Sequence, residues 1–237
     1  MVEIKNFSFT YPGGKQAVRD LSLTLNEGDL FAFIGHNGAG KTTTIKAMVG
    51  ILDFSEGDIT IFGKSIKKLP LECKKELAFI PDNPDLYDSL TGIQYLNFVG
   101  DIYQIDANER KQKVEKYATM LEIYDDLGKT ISSYSHGMKQ KLSFVAAFMH
   151  NPKLLIMDEP FVGLDPKAAF SVKQCMREFC EEGGIIFFST HVLEVAEKLC
   201  NKIAIIKNGS LVVSGNMEEI TKDASLEDVF MEISGNA

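Results

Sequence analysis

No stretch of this 237-residue chain is long and apolar enough to span a bilayer. The longest apolar runs, such as Phe144 to Met149 and Ile185 to Phe188, fall far short of the roughly 20 residues a spanning helix needs. Any work at a membrane therefore requires another chain to cross it. Paired cysteines are lacking too. Cys73, Cys175, Cys180 and Cys200 form no C-x-x-C unit, so buried free thiols in a reducing compartment are expected rather than a zinc site. Positive charge is in deficit: 25 Lys and Arg stand against 33 Asp and Glu, a net charge of −8. That balance argues against a nucleic-acid partner. It leaves phosphate ligands open, because distant surface charge is screened beyond roughly 8 Å at physiological salt. Met1 to Asn6 carries charge and alternation, so no secretory signal is expected there. Repeats, low-complexity tracts and long linkers are absent. With 45% hydrophobic residues, the chain can bury a sizeable core as one domain or a domain with a lobe.

The most informative stretch is Gly35-His36-Asn37-Gly38-Ala39-Gly40-Lys41-Thr42. It fits G-x-x-x-x-G-K-[ST], a phosphate-cradling pattern whose meaning depends on context. The apolar run Leu30 to Ile34 precedes it and reads as a buried strand; Thr43 to Val49 follows with helical spacing and ends at Gly50. Gly35, Gly38 and Gly40 allow backbone conformations and approaches that a Cβ would block. The loop N–H groups can then face an anion, and the helix N-terminus adds about half a positive charge. Lys41 supplies a point charge for β- and γ-phosphates. Thr42 offers a hydroxyl to Mg²⁺, a cation that prefers oxygen.

Around this loop the pattern alternates. Met1 to Thr10 and Ala17 to Leu25 read as half-buried strands, joined by the turn Tyr11-Pro12-Gly13-Gly14. They predict an antiparallel β appendage. Asp58 to Phe62 and Leu77 to Ile80 are further strands, and Pro81 to Ser89 is a loop. Apolar residues at helical spacing then predict a helical lobe from Thr91 to Gly128, continuing through His136 to His150. Strand, helix, strand, helix follow at Leu154 to Met157, Lys167 to Glu181, Ile185 to Ser189 and Val192 to Leu199. Lys202 to Ser214 reads as a hairpin around Asn208-Gly209. Two short helices are expected within Met217 to Ile233. Strands alternating with helices predict an α/β fold: a parallel sheet with helices on both faces, the β appendage and the helical lobe. A single domain is expected over 1–237, with a core of 1–84 and 151–237 and a helical subdomain of 85–150.

Three other stretches carry chemistry. Leu154 to Met157 ends in Asp158-Glu159-Pro160, at the strand ends where open α/β sheets bind ligands. Asp158 suits a Mg²⁺ shell; Glu159, one residue on, faces elsewhere and suits a general base, a role worth roughly 10²–10⁴-fold. Ser189-Thr190-His191 ends another apolar strand, and His191 can reach a γ-phosphate. Tyr134-Ser135-His136-Gly137 opens a helix, with Ser135 as N-cap and a second anion site at its start. Two anion sites for one nucleotide suggest a two-fold dimer that shares them. For each stretch a plain structural role is the alternative: a glycine-rich turn, a solvated acidic turn, a helix-start histidine or an ordinary cap.

Taken together, these motifs resemble the ATP-binding subunit of an ABC transporter over essentially the whole chain. Gly35 to Thr42 is similar to the Walker A loop, with Thr43 beside the phosphates. Leu154 to Glu159 is similar to Walker B, Ser135 to Gln140 to the LSGGQ signature, Gly163 to Pro166 to the D-loop, and His191 to the switch histidine. Tyr11 stands where the family stacks an aromatic on adenine. The resemblance implies a P-loop NTPase fold. It also implies ATP and Mg²⁺ as ligands and ATP hydrolysis by Glu159 and His191. Metal contacts are expected from Thr42, Asp82 and Asp158, and contacts across a dimer from Ser135, Gly137 and Asp165. The implied partners are a transmembrane permease and a second ATPase subunit, identical or different. No nucleic acid is expected, and membrane contact is expected only through the permease, at its cytoplasmic face. The ending Ser225 to Phe230, without the long regulatory extension of many sugar importers, resembles exporter subunits.

Two departures stand out. His136 replaces the first glycine of the signature. Asp82 stands where the family usually has Gln; it is expected to make site closure more Mg²⁺-dependent. Competing readings are a non-transport ABC ATPase of translation or DNA repair, a catalytically weakened regulatory cassette, and a P-loop kinase or GTPase. Neither a second cassette nor a long coiled coil favours the first, and Asn201-Lys202-Ile203-Ala204 lacks the Asp of a guanine-binding motif. A permease-facing groove is expected between Asp82 and about Asn97, with Tyr87 and Leu90 as contacts.

Overall fold

The computed structural model describes residues 1–235. Its first two strands, β1 (Val2–Thr10) and β2 (Gln16–Leu25), alternate buried and exposed side chains, as a half-buried sheet requires. β3 (Leu30–Ile34) is buried at every residue and feeds the glycine loop, which opens α1 (Lys41–Met48). β4 (Glu56–Ile61), β5 (Lys64–Ser65), the short α2 (Pro70–Lys74) and β6 (Leu77–Ile80) follow. The helical stretch holds α3 (Gly92–Ile102), α4 (Ala107–Met120) and α5 (His136–Met149), each started by a side-chain cap from Thr91, Asp106 or Ser135. β7 (Leu154–Asp158), α6 (Pro166–Glu181), β8 (Ile185–Thr190) and α7 (Leu193–Leu199) return to the alternating pattern. The chain closes with β9 (Lys202–Lys207), β10 (Ser210–Asn216), α8 (Met217–Ile220) and α9 (Leu226–Gly235).

Two sheets result. β2-β1-β4-β5 form the antiparallel appendage, and β10-β9-β3-β8-β7-β6 form the main sheet. In the main sheet β6, β7, β8, β3 and β9 run parallel, and β10 adds an antiparallel edge through the β9–β10 hairpin. Asn208 and Gly209 both have positive φ (50° and 83°), the geometry a two-residue hairpin turn needs. Phe62 does not extend β4, as its apolar side chain suggested. It turns with φ of 49° beside Gly63, making a second tight hairpin into β5.

Successive residues of the main strands serve opposite faces. Leu30, Ala32 and Ile34 of β3 join the core shared with α5, α6 and the helical lobe, whereas Phe31 and Phe33 join the core shared with α1 and the antiparallel sheet. Helices cover both faces, as the alternation predicted. All four cysteines are free and buried.

Candidate functional site

The glycine loop leaves β3 at the C-terminal edge of the parallel strands. A Cβ on Gly35 would come within 2.5 Å of the Ile206 carbonyl, and one on Gly40 (φ 113°) within 2.6 Å of the Ala17 carbonyl. Both positions therefore require glycine. No side chain caps the start of α1, so its first N–H groups and dipole stay available to an anion. Lys41 is buried; its Nζ donates to the Gly35 carbonyl at 2.6 Å and lies 3.9 Å from Glu159 Oε1. Burial pulls the Lys41 pKa below the ordinary amine value, against the opposing charges of Glu159 and Asp158.

β7 and β8 deliver the acidic side. Thr42 Oγ1 donates to Asp158 Oδ2 at 2.7 Å, and Ser189 Oγ donates to Asp158 Oδ1. Glu159 takes a left-handed backbone, φ 48°, uncommon for a side chain of this kind and tolerated where surrounding contacts fix it. Those contacts are its own N–H bonds to the Ser189 carbonyl and hydroxyl at 3.2 and 3.1 Å. The turn points Glu159 away from Asp158 toward His191, whose Nδ1 lies 2.9 Å from Glu159 Oε2. One carboxylate thus sits between an amine and an imidazole.

Lys41, Thr42, Asp158 and Glu159 border a cavity of about 340 Å³, lined also by Tyr11, Lys15 and Ala17 on one side, by His36, Asn37, Gly38, Gly40 and Thr43, and by Asp82. His191 lies outside this lining and reaches it only through Glu159. Tyr11 stands at the rim, its hydroxyl 3.0 Å from Thr43 Oγ1 and its ring edge-on to Phe9. Asn37 and Gly38 line the cavity; Gly35 and Ala39 are buried outside its lining, Ala39 N donating to the His36 carbonyl. Asp82 is exposed and accepts from Asn83 N at 2.8 Å. Thr42, Asp158 and Asp82 offer only oxygen, the donor type Mg²⁺ takes. Among the described residues no three His, Cys, Asp or Glu side chains converge on a metal position. A cation here would complete its shell with water and phosphate oxygens.

Ser135, Gly137 and Asp165 do not line this cavity. They form a second cluster. Ser135 Oγ accepts from Met138 N at 3.2 Å. A Cβ on Gly137 would lie 2.5 Å from the Gly163 carbonyl. Asp165 caps α6 through Ala168 N at 2.8 Å and pairs with Lys141 at 2.8 Å. The Lys141 ammonium, with that N–H, holds the Asp165 carboxyl below the usual carboxylate range. His136 packs against Gly163. Buried Gln140 donates to the Pro160 carbonyl at 3.3 Å and so joins the signature helix to the Glu159 turn.

Several participants carry no motif signal. Ser189 orients both acidic residues, yet a serine at a strand end has no spacing that marks it. Lys15 and Lys141 are ordinary surface lysines until the fold brings them in. A third feature is a groove of about 260 Å³, lined by Pro84, Asp85, Leu86 and Tyr95 with Tyr103 and His150. Tyr87 lies outside that lining, exposed and edge-on to Phe98, and Leu90 is half-buried against the core.

Known proteins resemble this chain in sequence and in fold. Residues 18–162 match the ABC transporter family. The chain is 34% identical over 220 residues to the uncharacterised ABC transporter ATP-binding protein YhcH of Bacillus subtilis, covering 92% of this chain and 71% of YhcH. It is 32% identical over 220 residues to the linearmycin resistance ATP-binding protein LnrL of the same organism, covering 93% of this chain and 70% of LnrL. A solved ATP-binding subunit of an ABC transporter superimposes with a TM-score of 0.94 at 32% identity, over 99% of both chains. With the phosphate loop, the two strand-end carboxylates and the signature helix all set on this fold, the chain belongs to the family of ABC transporter ATP-binding proteins.

Proposed function

We propose that this chain binds Mg²⁺ and ATP in the 340 Å³ cavity, hydrolyses ATP between two cassette subunits, and drives a separate permease in the export direction. One observation carries the reading. Lys41, Thr42, Asp158 and Glu159 meet in one cavity, while Ser135, Gly137 and Asp165 present a separate surface suited to a partner's nucleotide. Catalysis then rests on positioning and electrostatics. Lys41 and the loop N–H groups hold the phosphates. Thr42 and Asp158 would hold Mg²⁺, which supplies charge neutralisation. Glu159 orients the attacking water and accepts its proton, and His191 fixes the Glu159 carboxylate within reach of the γ-phosphate. Tyr11 offers its ring to adenine.

Residues 85–150 act as a helical subdomain whose 260 Å³ groove receives the permease. The second ATPase subunit is a copy of this chain or a related one. Among the described residues no helix is long and apolar enough to cross a membrane; in this reading the chain sits peripherally under the permease at the cytoplasmic face. The linearmycin resistance for which LnrL is named supports export.

The test is ATP turnover by wild type beside Glu159→Gln, with oligomeric state followed in Mg²⁺ and ATP. Turnover in the wild type and an ATP-locked dimer in the variant are expected. A variant that hydrolyses normally and stays monomeric overturns the assignment. Asp82 at the cavity rim makes closure more Mg²⁺-dependent. Asp82→Gln is expected to flatten the Mg²⁺ dependence of hydrolysis, and an unchanged dependence refutes that role.

A further inference from the structure

We propose that α9 is a strap on the phosphate loop, with His36 and Ser234 as positioning residues whose contact sets how tightly the loop grips nucleotide. The proposal rests on the reading of that loop as the ATP site.

His36 occupies the second position of the loop, where the pattern accepts any residue. Its Nε2 lies 3.0 Å from Ser234 Oγ, and its ring centroid lies 4.8 Å from that of Phe230. An imidazole suits this place because it has an apolar face for Phe230 and a polar atom for Ser234. The helix is firmly rooted, since Leu226 and Phe230 are buried.

A second link runs through β9. Lys207 Nζ donates to the Ile233 carbonyl at 2.8 Å and reaches the Ser234 carbonyl at 3.4 Å. Among the described residues these last-turn carbonyls have no partner within their helix, and a cation suits the negative end of its dipole. Next to Lys207, Gly209 N donates to the Ala39 carbonyl at 3.0 Å, and Ile206 packs on Gly35. The end of α9 is therefore joined to the loop directly and through β9.

The junction bears on the loop's working parts. The Gly35 and His36 carbonyls both face Lys41 Nζ, at 2.6 and 3.5 Å. A shift of His36 moves the acceptors that hold the phosphate-binding amine. Docking of α9 and binding of nucleotide are then linked, and the linkage is reciprocal.

Two measurements test the strap. The first is amide hydrogen exchange of the wild type with and without Mg²⁺ and ATP. Exchange at residues 229–235 is expected to slow on adding nucleotide, while α4, remote from the loop, is unchanged. The second is ATP affinity by titration calorimetry for Ser234→Ala and Ser234→Thr. Losing the hydroxyl is expected to weaken ATP binding by up to about fivefold, the full worth of one hydrogen bond being the ceiling for a contact that nucleotide tightens. Turnover at saturating ATP should stay within about twofold, because Ser234 touches no reacting atom. Ser234→Thr keeps the hydroxyl and is expected to bind like wild type. Wild-type affinity in Ser234→Ala, equal weakening in Ser234→Thr, or exchange in α9 indifferent to ATP each overturns the strap. A wild type that binds no ATP overturns the reading of the loop and the strap with it; one that binds ATP without these effects overturns the strap alone.

Discussion

Replacing His150 by Phe should remove a pH-dependent part of this protein's stability. His150 follows α5, lines the groove and stacks on Tyr103 with ring centroids 3.9 Å apart and planes within 6°. A protonated ring would suit the negative end of α5. Burial outweighs that gain: together with Lys113, and against a backbone hydrogen bond at His150 itself, it pushes the pKa from 6.5 down to about 4. The unfolded chain therefore takes up a proton below pH 6.5 that the folded chain refuses until about pH 4. The neutral ring's contribution is complete above the unfolded value and falls away as pH drops toward the folded one. At about 1.4 kcal/mol for each pH unit, the loss between pH 7.5 and 4.5 comes to about 2.5 kcal/mol. Phenylalanine keeps the stack and does not titrate. Urea unfolding of both proteins across this range reads the difference, because carboxylate effects shared by the two cancel. The wild type's advantage over the variant should shrink by about 2.5 kcal/mol on going to pH 4.5. Parallel stability profiles would refute the reasoning.

Three further outcomes are expected. Ser189→Ala removes the hydroxyl that serves Asp158 and the Glu159 N–H; a hydrogen bond to a charged group is worth about 1.5–3 kcal/mol, so ATP turnover should fall roughly tenfold or more, read by phosphate release. Gly137→Ala drives a Cβ into the Gly163 carbonyl, 2.5 Å away. ATP-dependent dimerisation, followed by light scattering, should be lost while the monomer still binds ATP. The four cysteines are buried, and burial pushes Cys175 up to about 11 and Cys180 to about 12. A thiol reagent at about pH 8 should find none of them reactive in the folded chain and all four in urea, since only the thiolate reacts.

Much of this fold was legible because burial and periodicity coincide. β3, β7 and β8 are apolar runs buried on both faces, and parallel strands of this kind stand out in sequence. Asn208-Gly209 marked its hairpin by turn chemistry. The Phe62-Gly63 turn did not, because an aromatic at positive φ runs against every local preference and the sheet overrides it. β5 and α2 are too short for a period to show. The candidate site divides the same way. Lys41, Thr42, Asp158 and Glu159 were marked by spacing and by strand ends, and the cavity gathers them. Ser189, Lys15 and the meeting of His36 with Ser234, 198 positions apart, depend on tertiary placement and leave no local trace.

The alternation along β3 has a consequence for how the molecule tolerates change. Phe31 and Phe33 serve one core; Leu30, Ala32 and Ile34 serve the other. Among the described residues the sheet acts as a bulkhead between two separate clusters of buried hydrophobic side chains. A substitution in the lobe disturbs its own compartment and couples there with its neighbours, while one behind Phe33 adds independently. A lineage can thus refit the lobe's outer face to a new partner without retuning the compartment behind α1.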